Sequence, residues 1–202
     1  MSKIIVYTAI YNKKDLLKMP RDLRGYEFCL FSGTEGGRGE ARRKKLTPHL
    51  YFREYDYSVW VDGNIEIIDN IVPVVERFMK DHKIAVLNYP DIHHSHYEEG
   101  NICKLFGKDT AENIDPQLER YKSEGCPPLD TPWNAVIIRR HNDSDVIKFN
   151  ELWLEELQRG SIRDQISFPY VSWKLGIQYA VMDNKGWDSH WFRYHSHFRE
   201  EN

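Results

Sequence analysis

The chain has only three cysteines in 202 residues, Cys29, Cys103 and Cys126, and no two of them form a Cys-x-x-Cys pair. Neither a disulfide framework nor a cysteine zinc knuckle is indicated, and a reducing, cytoplasmic setting is the simplest expectation. A basic excess is also missing: 28 Lys and Arg stand against 31 Asp and Glu, for a formal net charge of −3. That argues against a dedicated nucleic-acid partner, which usually shows as a surplus of basic residues. No apolar run approaches the roughly eighteen residues of a transmembrane helix, so no integral membrane segment is expected. Residues 1–7 carry an apolar run too short for a signal-peptide core, with no small-residue cleavage site after it. Internal repeats, low-complexity tracts and long Gly/Ser linkers are lacking too.

Aromatic residues are abundant. Nine Phe, six Trp and twelve Tyr make up 13% of the chain, alongside nine His. Large rings with one polar atom suit a core, and they also suit the faces of sugars and bases. Apolar periodicity predicts strands over residues 3–10, 26–31, 57–61, 65–68, 84–87, 134–138 and 177–181. Helices are expected over 39–46, 72–82, 98–106, 111–123, 143–158 and 163–175, the last in spite of Pro169, with Asp143 or Ser144 capping the fifth and Gly160 stopping it. Strands separated by helices predict an α/β domain around a mostly parallel sheet, and such sheets bind ligands at the carboxyl ends of their strands.

Four segments carry chemistry. In Val59-Trp60-Val61-Asp62-Gly63-Asn64-Ile65 an apolar strand delivers a carboxylate, then a glycine that admits a close ligand, then a second oxygen donor. A carboxylate so placed suits a hard divalent cation that holds a diphosphate; the same letters also spell a hairpin turn. Upstream, Gly36-Gly37-Arg38-Gly39-Glu40-Ala41-Arg42-Arg43-Lys44-Lys45 leads from a glycine segment into a basic helix. Its cations suit phosphates or a solvated face, and it lacks the Gly-Lys-Ser/Thr ending of a Walker loop. Downstream, Arg163-Asp164-Gln165 opens a helix, where Asp164 serves either as a helix-start residue or as a carboxylate facing substrate. In the tail, His195 and His197 share a face of an extended segment, where one of them can complete a metal shell begun by Asp62 or simply dock the terminus. The cluster His93, His94 and His96 has no clean ligand spacing and is read as an acceptor-side loop.

In this order the segments resemble a GT-A glycosyltransferase family long catalogued as a domain of unknown function. The likeness rests on Ala41-Arg42 to Pro48-His49, on the Tyr55 to Ile65 segment and on Arg163 to Val171. Relatives occur among plant mucilage-type polysaccharide enzymes, bacteria and large algal viruses, the chlorella-virus glycosyltransferase domain being the nearest in kind. The resemblance implies one Rossmann-like GT-A domain over residues 1–202, with 1–90 binding the nucleotide sugar and 91–202 the acceptor, either alone or as part of a longer polypeptide. It implies a UDP-sugar donor and Mn²⁺ or Mg²⁺. Thr8, Ala9 and Tyr11 would meet base and ribose, and Arg38 and Arg42 ribose or phosphate. Asp62 and Gly63 would lie against the diphosphate and its metal, with Asn64 and His195 or His197 completing the ligands. Asp164, with Arg163 beside it, would face the donor sugar or the acceptor hydroxyl, and Trp133, Trp187 and Trp191 would offer stacking rings. The family's Asp-x-Asp motif is broken, since Trp60 and Asn64 flank Asp62 at the two possible partner positions.

The expected activity is metal-dependent transfer of a hexose, or a deoxyhexose such as rhamnose, to a hydroxyl of a glycan or a glycoprotein glycan. Retention is favoured because retaining relatives of the glycogenin type share the layout. If the chain is viral, the reaction belongs in the host cytoplasm. The rival from another class is a non-catalytic nucleotide- or carbohydrate-binding module that kept the fold and lost turnover. A two-metal phosphohydrolase would need more clustered carboxylates than Asp62 supplies.

Overall fold

The computed structural model describes residues 2–12, 14–35, 37–89, 94–183 and 188–197. Six strands form one sheet: β1 (Ile4–Tyr11), β2 (Glu27–Gly33), β3 (Tyr57–Val61), β5 (Ile84–Leu87), β6 (Trp133–Arg139) and β7 (Ala180–Met182), in the order β2-β1-β3-β6-β5-β7. A small second sheet pairs β4 (Ile65–Ile67) with β8 (Phe192–Tyr194). The helices are α1 (Gly37–Leu46), α2 (Val72–Met79), α3 (His96–Leu105), α4 (Ala111–Ser123), α5 (Ser144–Arg159) and α6 (Asp164–Leu175). The expected α/β class with a mostly parallel mixed sheet is what the chain forms.

The apolar runs of β1, β3, β5 and β6 are buried on both faces, the pattern of a sheet covered by helices. Successive side chains alternate across it. Ile5, Tyr7, Trp60, Val86 and Ile137 pack beneath α1, α3, α4, α5 and α6. Ile4, Val6, Val59, Val61, Val136 and Ile138 pack with α2, β4 and β8.

One strand runs against the others, and that decides where the site lies. β2, β1 and β3 are mutually parallel, β6 is antiparallel to β3 and β5, and β7 is parallel to β5. The first residues of β6 therefore arrive at the same sheet end as the last residues of β1, β3 and β5. The Asp62 N–H donates to the Ala135 carbonyl at 2.8 Å and ties β3's exit to β6's entry.

Most boundaries fall within two residues of the expected ones, and the differences have local causes. Helix α3 starts at His96 because Ser95 and Glu98 form a reciprocal capping box. Asp143 caps α5 by accepting from the Asp145 N–H. The strand expected at 177–181 begins only at Ala180, because the Ile177 N–H and carbonyl are taken up by Ser172 at the end of α6. Strand β8 is three residues long and carried no periodic signal. The hairpin alternative for Asp62-Gly63-Asn64 does not form: a turn closes from the Ile65 N–H to the Asp62 carbonyl, but β4 leaves the main sheet for β8.

Candidate functional site

A cavity of about 920 Å³ opens at the carboxyl end of the parallel strands. Its wall takes Ala9 and Tyr11 from β1, Asp62 and Gly63 from the exit of β3, Trp133 and Asn134 from β6, and Asp164 from α6. Helix α1 contributes Arg38, Ala41, Arg42 and Lys45. That spacing of three, one and three places these residues on one helical face. In a typical surface helix the inward stripe is apolar, whereas here it is mostly cationic.

Lys45 closes the basic run read from the sequence but is not singled out there from its neighbours. It is 1% exposed, and its Nζ lies 2.6 Å from Asp164 Oδ2 and 3.4 Å from Asp62 Oδ1. The ammonium thus bridges the carboxylates from β3 and α6, above the face of Trp60. Arg42 Nη1 adds a second charged contact to Asp164 Oδ2 at 3.1 Å. The Trp60 indole N–H donates to Asp62 Oδ1 at 2.7 Å. Burial of a lysine this deep requires such pairing.

The electrostatics of Asp164 follow from this arrangement. Burial alone would push its carboxyl up, but the charges of Arg42, Lys45 and Arg163 and the Lys45 hydrogen bond outweigh burial. Together they hold it well below the usual carboxylate range. The start of α6 at this residue adds a favourable dipole. Asp164 is therefore a fixed anion and a weak base.

A second tier holds Lys45 from behind. Arg139, fully buried, donates from Nη2 to the Lys45 carbonyl at 2.6 Å and to the Tyr7 hydroxyl at 2.5 Å. Tyr7 donates to the same carbonyl at 3.0 Å. Burial, partly offset by Arg139, pushes the Tyr7 phenol up to about 12, so it stays protonated and keeps donating.

The cavity is strongly cationic in an acidic chain. Lys14, Arg38, Arg42, Lys45, Lys108 and Arg163 line it, against Asp15, Asp62 and Asp164. Burial and the charges of Arg42 and Arg163 push the Arg38 guanidinium down. Burial and the Arg38 charge do the same to Lys14. Mutual repulsion of this kind is relieved by a bound anion.

The residues singled out in the sequence divide as follows. Ala9, Tyr11, Arg38, Arg42, Asp62, Gly63, Asn64, Trp133, Arg163, Asp164 and His197 all line the cavity. Thr8 does not, being buried one residue short of it between its neighbours in the sheet. Arg163 is held by Gln165 Oε1 at 2.7 Å and lies 3.9 Å from Glu99. His195 is turned away: its Nε2 lies 2.9 Å from Glu66 Oε2, on β4. Its carbonyl accepts from Asn64 Nδ2. His197 pairs through Nδ1 with Asp15 at 2.8 Å. The two imidazoles share a chain segment but pair with different carboxylates, neither of them Asp62. Trp191 packs against the β4/β8 core rather than the cavity, and Trp187 lies outside the described residues. Over its described part the His-rich segment turns its imidazoles inward. His94 is buried against Glu99, and His96 is buried against Leu129 and Cys126; His93 is not among the described residues.

Oxygen donors for a hard cation are present. Asp62 uses Oδ1 for Lys45 and Trp60, and Asn64 uses its amide nitrogen for His195, so Asp62 Oδ2 and Asn64 Oδ1 take none of these bonds. Among the described residues no three His, Cys, Asp or Glu side chains gather around one point. A cation here would rest on the oxygens of Asp62 and Asn64 and on its ligand's phosphates, a donor set that suits Mg²⁺ or Mn²⁺.

Gly63 is needed for space. A Cβ there would lie 2.9 Å from Ile10 Cγ1 and 3.2 Å from Asp15 Cβ and Oδ2. Gly63→Ala is expected to lower stability by about 1–3 kcal/mol, the usual cost of overpacking, measured as a shifted urea midpoint with unchanged slope. An unchanged midpoint would mean that the turn relaxes freely.

Residues 37–193 match the family described as TOD1/MUCI70, glycosyltransferase-like domain. The chain is 32% identical over 156 residues to a protein of Arabidopsis thaliana named probable hexosyltransferase MUCI70. That alignment covers 70% of this chain and 26% of the plant protein, so the chain spans about a quarter of its relative's length. A solved structure titled as a glycosyltransferase involved in the glycosylation of the major capsid of PBCV-1 superposes with a TM-score of 0.46 and 8% identity. It covers 90% of this chain and 81% of that one.

Proposed function

Because the chain belongs to the TOD1/MUCI70 glycosyltransferase-like domain family, we propose that its cavity binds a nucleoside diphosphate sugar and transfers the sugar to a hydroxyl of a glycan. One observation carries this reading: six cationic side chains meet three carboxylates at the strand ends of a chain whose net charge is negative. A diphosphate supplies the missing negative charge. Arginine forks suit its oxygens, and the N-terminal ends of α1 and α6, both on the cavity wall, favour anions.

The donor in this proposal is a UDP-sugar carrying a hexose or a deoxyhexose such as rhamnose. Ala9 and Tyr11 take the base side, and Arg38, Arg42 and Lys14 take the diphosphate. A Mn²⁺ or Mg²⁺ ion held by Asp62 and Asn64 would offset the charge that develops on the leaving diphosphate. The bond from the anomeric carbon to phosphate oxygen breaks with its electron pair leaving on the diphosphate. The acceptor oxygen bonds to that carbon, and the acceptor proton ends on the leaving group. Asp164, held ionised, is poorly suited to remove that proton and well suited to face a sugar gaining positive charge. That supports retention, in which no separate base on the opposite face is required.

Calorimetry with UDP and Mn²⁺, followed by a UDP-release screen over nucleotide sugars, tests the proposal. Wild type is expected to bind UDP and to release it from at least one donor when an acceptor glycan is supplied. Binding without release from any donor would favour a non-catalytic module, and no nucleotide binding would remove the proposal altogether. Asp62→Ala is expected to weaken Mn²⁺-dependent UDP binding by at least about 10–100-fold, the range for losing only an outer partner of a metal ligand. Unchanged titrations would take Asp62 out of the metal's shell.

A further inference from the structure

Asn134, the second residue of β6, is 2% exposed and lines the cavity. Both polar atoms of its side chain, Oδ1 and Nδ2, are buried and have no hydrogen-bond partner. Burying an amide unpaired costs about 1–3 kcal/mol on mutational scales, and buried side-chain amides are normally satisfied. An amide left in this state on a cavity wall is matched to a ligand.

The chemistry of the amide narrows the ligand. A carboxamide offers one acceptor and two donors in a fixed plane. Phosphate oxygens can use only the donors and would be repelled by Oδ1. Sugar hydroxyls both donate and accept, so two neighbouring hydroxyls satisfy both atoms.

Position narrows it further. In the sheet order, β3 separates β1 from β6. Ala9 and Tyr11 on β1 therefore stand two strand spacings, about 10 Å, from Asn134, with Asp62 at the exit of the intervening strand. If the base lies over β1 and the diphosphate over Asp62, what reaches β6 is the sugar. Trp133, on the same wall, offers a ring beside it.

We propose that Asn134 reads the hydroxyls of the transferred sugar, one donating to Oδ1 and another accepting from Nδ2, and so sets donor selection. This rests on the nucleotide-sugar reading above, and the test separates the two. Wild type and Asn134→Ala are titrated with UDP, UDP-glucose, UDP-galactose and UDP-rhamnose, and their melting temperatures are compared. Wild type is expected to rank the three sugars. In the variant UDP affinity stays within twofold, the best sugar donor loses about tenfold, and the ranking flattens. The melting temperature stays level or rises, because an unpaired buried amide has been removed. A purely structural asparagine would lower the melting temperature and leave the ranking intact, and that result overturns the proposal. Equal loss for UDP and all three donors also overturns it, since it would place the base or phosphates against Asn134. Failure of wild type to bind UDP at all removes the nucleotide-sugar reading itself, and the assignment of Asn134 falls with it.

Discussion

Lys45→Met is expected to lower kcat by about 100-fold or more, the scale seen when one preorganised charge-stabilising group is removed. It is also expected to lower stability by about 3 kcal/mol, the lower end for breaking a buried ion pair. The lysine stands between Asp62 and Asp164 with its ammonium almost wholly shielded from water. Methionine keeps the length and the packing over Trp60 but removes the charge. Two carboxylates then face one another, with Arg42 still paired to Asp164 and the Arg163 charge nearby. The two effects are separable. Urea unfolding reports the stability, and single-turnover kinetics on the folded fraction report the chemistry. If turnover of the folded fraction were unchanged, Lys45 would be a structural cation with no part in the reaction.

Asp164→Asn is expected to reduce turnover by a similar factor while UDP binding is kept or tightened, because the variant leaves an extra positive charge on the cavity wall. The pH dependence gives a second and independent measurement. The Asp164 carboxyl is held below its ordinary value in the folded state by Arg42, Lys45 and Arg163, against the opposing effect of burial. Its contribution to stability is therefore complete above the unfolded aspartate range, near pH 4. It is lost as pH falls through the lower folded value. Wild type should exceed Asp164→Asn by about 3 kcal/mol or more at pH 7, with the gap closing below about pH 4. A gap that stays constant down to pH 2 would mean that the carboxylate is not paired as described. A wild-type turnover profile that loses activity near pH 6 cannot be assigned to Asp164, whose charge persists there.

The parts of this site differ in how readable they were from the letters. Asp62 was readable because the apolar run Tyr57–Val61 is buried on both faces, and a carboxylate directly after such a strand must emerge at a sheet end. Arg38 and Arg42 were readable as cations suited to phosphate within a run that ends on Lys45, but nothing in that run sets Lys45 apart from Arg43 and Lys44. A lysine expected in solvent gives no sign that two carboxylates 17 and 119 residues further along will bury it. Asn134 was not readable at all. Its importance depends on β6 running antiparallel, which local periodicity does not encode. The His195 and His197 alternation was real as a pattern, yet it is silent about what stands opposite. Glu66 takes one imidazole and Asp15 the other. The fold was the easier problem because buried strands announce themselves locally, whereas the site is made of pairs distant in sequence.

The brace formed by Arg139 and Tyr7 on the Lys45 carbonyl divides α1 into two dynamic regimes. Its last turn is joined to the sheet and to α5 through buried groups, Asn150 included, so the backbone around Lys45 is expected to exchange its amides among the slowest in the molecule. Its first turn, from Gly37, carries no comparable buried brace among the described residues and contains two glycines. Amide exchange along this one short helix is thus expected to be graded, fastest around Arg38 and slowest around Lys45.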